Sequence, residues 1–106
     1  IPDPAAAAQA WYQRYRAVPI NHMVVVTAPL AKSDPWVAEE VFRVLAESKK
    51  AAGLPAATGV DPFPLGVEAN RKSLELIVKY AAQQKLIPRQ FEVDELFDDV
   101  TRNLGR

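Results

Sequence analysis

Cysteine is absent from this chain of 106 residues, which excludes a disulfide framework, a thiolate nucleophile and any Cys-based zinc site. One histidine, His22, leaves too few imidazoles for an all-protein metal cage, which draws three or four ligands from His, Cys and carboxylates. Charge of one sign is missing too. Thirteen Lys and Arg balance thirteen Asp and Glu, so no net field draws in nucleic acid, and nucleic acid is not expected as a partner. No apolar run approaches the ~20 residues that span a bilayer, so membrane insertion is not expected. The opening Ile1-Pro2-Asp3-Pro4 lacks the charged start and apolar core of a targeting peptide, which says nothing about the export of a longer parent chain.

What is present reads mostly as helix. Asp3 before Pro4 is a helix start, with a carboxylate to cap and a ring where a missing N–H costs nothing. Ala8, Trp11, Tyr12 and Tyr15 then share one face, and the helix should end near Arg16, before Pro19. Asp34-Pro35 repeats the device for a helix with Val37, Val41, Phe42 and Leu45 inside, Trp36 as its anchor and Gly53 as its stop. Prolines and glycines crowd 54–65, which predicts an irregular connection there. A third helix is expected from about Val67 to Lys85, with Leu74, Ile77, Val78 and Ala81 inside, and a last one carries Val93, Leu96, Phe97, Val100 and Leu104.

One stretch differs. Ile20 to Ala28, Ile-Asn-His-Met-Val-Val-Val-Thr-Ala, has the β-branched composition of a strand and is apolar on both faces, as in a central strand. No second strand is legible, and a strand pairs only with another edge. The expected fold class is therefore an α-rich α/β fragment: helix, one long buried strand, then three helices. Its sheet lies outside the 106 residues or in a second copy of them, and self-association through the 20–28 strand is expected.

His22, the one imidazole in the chain, stands at the start of that stretch, and imidazole is the side chain best suited to exchanging a proton under physiological conditions, which makes it the candidate for proton transfer. The plainer reading is a histidine hydrogen-bonded in a core or fixing the Pro19 turn. Asn21 is on the opposite face. Arg71, in the first turns of the third helix, can grip a carboxylate ligand in bidentate fashion or pair with Glu75 one turn on. The stripe Trp11, Tyr12 and Tyr15 is of a kind that usually packs. Asp94, Glu95, Asp98 and Asp99 suit the start of a helix and need no metal to explain them. No phosphate-cradling loop, dinucleotide fingerprint or nucleophile elbow is present, and no cofactor is assigned.

In order along the chain, Pro2-Asp3-Pro4, Ala10-Trp11-Tyr12, Pro19-Ile20-Asn21-His22 and Asp34-Pro35-Trp36-Val37-Ala38 are similar to the C-terminal part of the 4,5-dihydroxyphthalate decarboxylase family. Leu65-Gly66, Glu68-Ala69-Asn70-Arg71-Lys72, Gln84, Leu86 and Glu95-Leu96-Phe97 continue the resemblance over nearly the whole length. Two departures stand out: Tyr15-Arg16-Ala17-Val18 where the family tends to Thr-Gly-Ile-Phe, and Lys85 at a usual glycine. The resemblance implies that residues 1–106 are the C-terminal segment of a two-lobed protein with the type II periplasmic-binding-protein fold. It implies a carboxy-lyase that removes CO2 from a hydroxylated aromatic acid, with His22 catalytic, Asn21 and Arg71 binding substrate, and the isolated segment inactive. The rival is a solute-binding protein for a small organic acid, without catalysis. The enzyme would be cytoplasmic and the binder periplasmic. A third reading makes the segment an assembly module that pairs with its own copy.

Overall fold

The computed structural model describes residues 1–56 and 59–106; residues 57 and 58 of the 54–65 connection lie outside the described residues. The elements are all helical: α1 (Pro4–Tyr15), α2 (Ala28–Ser33), α3 (Trp36–Ala51), α4 (Val67–Gln83), one 3₁₀ turn (Val93–Leu96) and α5 (Asp99–Asn103).

Three helices form where their signals lie. Asp3 caps α1 by accepting the Ala6 N–H at 3.0 Å, and Pro4 fills the first helical position. The Ser48 and Lys50 carbonyls close the end of α3 before Gly53, whose φ of 69° suits a residue without a Cβ. At the end of α4, Lys85 takes φ 58°, a left-handed position that glycine enters more freely. The Asp34 carboxylate accepts from the Ser33 hydroxyl at 2.7 Å rather than capping α3. Asp34 thus joins two helices instead of starting one.

The expected buried strand does not form. No strand exists among the described residues, and Ala28 already belongs to α2. Residues 17–27 run without regular structure, and from Ala17 to Val26 none exchanges a hydrogen bond with another described residue. Val24 is 64% exposed and Val25 84%. The physical reason is that β-branched composition favours an extended backbone, but a ladder needs a second edge, and the described residues hold none. The α/β fragment with a long central strand is therefore replaced by an all-helical arrangement, and the lone strand no longer argues for a periplasmic-binding-protein fold.

Trp36, expected to anchor α3, is 60% exposed, and Ile77, expected inside, is 42% exposed. The last helix is broken: Phe97 is extended, and Asp98 starts α5 afresh by accepting the Thr101 N–H at 2.7 Å.

The core is small. Val67, Leu74 and Val93 form its centre, with Ile20 and Phe97 packed against it, so α4 is the element that the others lean on. Arg71 ties α4 to the 3₁₀ turn through Asp94 at 3.0 Å, and Arg102 adds bonds to the Asp94 and Phe97 carbonyls at 3.0 and 2.9 Å. The accessible surface of 8061 Å² is well above the ~5,900 Å² usual for a folded monomer of this mass. The radius of gyration, 15.5 Å, exceeds the ~13 Å of a compact chain of this length. The molecule is a slab 21 Å thick with much apolar surface uncovered.

Candidate functional site

Two adjoining clefts lie between α1 and α4. Ala17, Val18 and Ser73 border both, so the chain leaving α1 forms the ridge between them. That path is set by Arg16, which closes α1 at φ 53° and donates its backbone N–H to the Tyr12 carbonyl at 2.8 Å. A left-handed turn at the helix end sends Ala17 back onto α4, where it is buried.

The first cleft, of about 280 Å³, is apolar and walled by Trp11, Ile20, Leu76, Ile77 and Tyr80. The Trp11 ring lies 4.2 Å from Tyr15 and 6.4 Å from Tyr80, both tilted, so the aromatic stripe packs as expected. The indole N–H of Trp11 is buried with no hydrogen-bond partner among the described residues. The neighbouring Tyr15 phenol raises the Tyr80 phenol above its ordinary value, and burial adds to the shift.

The second cleft, of about 200 Å³, is more polar. Tyr12 and Arg16 line it from α1, Glu68, Ala69 and Lys72 from α4, and Val60, Asp61 and Pro64 from the connection between α3 and α4. The connection is held by Lys49, whose ammonium reaches both the Asp61 carboxylate and the Phe63 carbonyl, the latter at 2.7 Å. Burial pushes the Asp61 carboxyl up, but Lys49 and the Phe63 N–H outweigh it, and the group ends below its ordinary value. Asn70 secures the other end by donating to the Pro64 and Gly66 carbonyls at 2.7 and 2.9 Å.

The three residues singled out in the sequence are not brought together in either cleft. His22 and Asn21 are exposed on the irregular stretch and make no hydrogen bond with a described residue. Arg71 pairs with Glu68 at 2.7 Å and with Asp94, rather than with Glu75. These two carboxylates raise the guanidinium further above its already high value. Its fork is occupied, and a ligand carboxylate would have to displace one of them.

The acids at the chain's end also have partners. Glu95 accepts from Arg89 at 2.6 Å and from the Glu92 N–H at 2.7 Å, which together hold its carboxyl down at about 2. Among the described residues no cluster of three or more His, Asp or Glu side chains could hold a metal ion. No described helix is long and apolar enough to cross a membrane.

The second cleft was hidden in the sequence because Arg16 and Lys72 stand on helices separated by more than half the chain. One local signal existed: Arg16 follows the aromatic stripe at the expected end of α1, where a cation suits the helix dipole.

No protein-family model matches the chain, and no curated protein matches it. The resemblance to the decarboxylase family rests on the colinear residues alone.

Proposed function

We propose that this chain is one part of a carboxy-lyase of the 4,5-dihydroxyphthalate decarboxylase type, and that it joins further polypeptide, including a second copy of itself, through residues 20–26. The observation that carries the reading is the run from Ala17 to Val26: without regular structure, without a hydrogen bond to any described residue, and with Met23, Val24 and Val25 more than half exposed. Backbone N–H and C=O groups left unpaired beside exposed apolar side chains offer a template for pairing. The excess surface of the slab points the same way.

The chemistry comes from the resembling residues. Loss of CO2 from an aryl acid follows protonation of the ring carbon, so a proton donor must stand near that carbon while cations or N–H groups hold the carboxylate. His22 lies inside the exposed run with neither ring nitrogen engaged by a described residue, which leaves it free to serve a site completed by association. Asn21 beside it offers an amide for a substrate hydroxyl. Arg71 takes the substrate carboxylate only if it releases Glu68 or Asp94. An enzyme of this type works in the cytoplasm.

The test is CO2 release from 4,5-dihydroxyphthalate by the assembly that contains this chain, beside His22→Ala. A loss of about 10²-fold or more in turnover, with folding unchanged, supports the reading. Turnover indifferent to the substitution removes His22 from the chemistry. Binding of the acid with no CO2 released replaces the enzyme with a solute-binding protein.

A further inference from the structure

The second cleft holds chemistry that the carboxy-lyase reading does not use. Four charged side chains line it: Arg16, Lys72, Asp61 and Glu68. The two acids are already answered. Asp61 is held by Lys49 and by the Phe63 N–H at 3.0 Å. Glu68 accepts from Arg71 at 2.7 and 3.2 Å and from Arg106 at 3.5 Å. The two cations are not. Neither Arg16 nor Lys72 makes an ion pair or a side-chain hydrogen bond with any described residue, and the Arg16 guanidinium only hovers 5.9 Å from the centre of the Tyr12 ring. Arg16 and Lys72 are thus the positive charges left over once every acid in the cleft has its partner.

We propose that this cleft binds a small planar monocarboxylate of the benzoate type, with its carboxylate between Arg16 and Lys72 and its ring against Val18 and Pro64. An Arg fork beside a Lys ammonium suits a carboxylate, with directional donors on one side and a point charge on the other. The apolar part of the wall favours an organic acid over inorganic phosphate, because a ring removes that surface from water and a phosphate does not. Asp61 and Glu68 are neutralised by Lys49 and Arg71, so the cleft offers Arg16 and Lys72 alone, and a single carboxylate held between them occupies both. At about 200 Å³ the cleft is below the ~300–1,000 Å³ of sites for drug-sized ligands, which limits the occupant to a single ring. The inference stands on Arg16, Lys72, Val18 and Pro64 and does not require that the chain take part in decarboxylation.

The experiment is a titration of the full chain, followed by ¹H–¹⁵N NMR, with sodium benzoate, benzamide and inorganic phosphate at constant ionic strength. The variants are Lys72→Gln and Arg16→Asn; asparagine tolerates the left-handed backbone at that position. Benzoate should shift the amides of residues 12, 16–18, 69 and 72, while benzamide and phosphate leave them in place. Each variant should bind benzoate at least tenfold more weakly, with its spectrum unchanged elsewhere. The inference is overturned by an absence of benzoate shifts in the cleft, by equal response to benzamide or phosphate, or by full affinity in both variants. Those outcomes leave the His22-dependent release of CO2 untouched, so the two readings fail separately.

Discussion

Gly66 and Gly105 meet backbone to backbone. A Cβ placed on Gly105 would stand 3.2 Å from the Gly66 Cα, and one placed on Gly66 would stand 2.8 Å from the Leu104 carbonyl oxygen. Both residues have positive φ, 88° and 80°. The turn that ends the chain is thereby laid across the loop that starts α4, and the Phe42 ring closes the stack at 3.1 Å from the position of a Gly105 Cβ. This crossing ties α3, α4 and the C-terminal residues into one unit.

Gly66→Ala should therefore lower stability by about 1–3 kcal/mol, from the left-handed backbone and from a carbonyl that cannot step aside. Gly53→Ala is the control, since its Cβ meets nothing within 4 Å and only the φ of 69° opposes it. Urea unfolding followed by circular dichroism should rank Gly66→Ala as the more damaging of the two.

The core is thin enough that one leucine matters greatly. Leu74 is 2% exposed and sits between Val67 and Val93, so Leu74→Ala should cost about 2–5 kcal/mol, comparable with the whole stability of a marginal domain. Ile77, one turn along but 42% exposed, should lose much less as alanine. Thermal unfolding of the two variants side by side checks the contrast.

Acid should weaken the C-terminal part through Glu95. Its carboxyl is lowered from 4.5 to about 2, first by Arg89 and then by the Glu92 N–H. A group whose folded value is lowered stabilises fully above its unfolded value and loses that stabilisation as pH falls toward the folded one. The window is thus about pH 4.5 down to about 2. Across that range Glu95→Gln should lose less of its melting temperature than the unmodified chain does, and equal slopes would remove Glu95 from the explanation.

Much of the helical framework was legible because helix signals are local. The aspartate-proline start and the aromatic stripe mark α1, and apolar spacing marks α3 and the inner face of α4 at Leu74 and Val78. The short α2 was hidden by the valines before it, although Thr27 with Pro29 is itself a helix start. The break at Phe97 was signalled by Asp98 and Thr101, a cap placed inside what looked like one apolar period. The valine run misled for a deeper reason: a sequence can favour an extended backbone, but a strand is a property of two segments, and no partner segment exists among the described residues. The clefts were out of reach for a similar reason. Which cations stay unpaired depends on every acid finding its partner first, and Arg71, the residue whose chemistry looked most apt, found Glu68 and Asp94.

Whether residues 17–26 are a pairing edge is measured directly by size-exclusion chromatography with light scattering. The chain should elute as a dimer or larger species, and Val25→Lys, at a side chain 84% exposed and outside the core, should return it to a single chain of 11.7 kDa. A well-behaved monomer before any substitution, at concentrations up to the millimolar range, would contradict it.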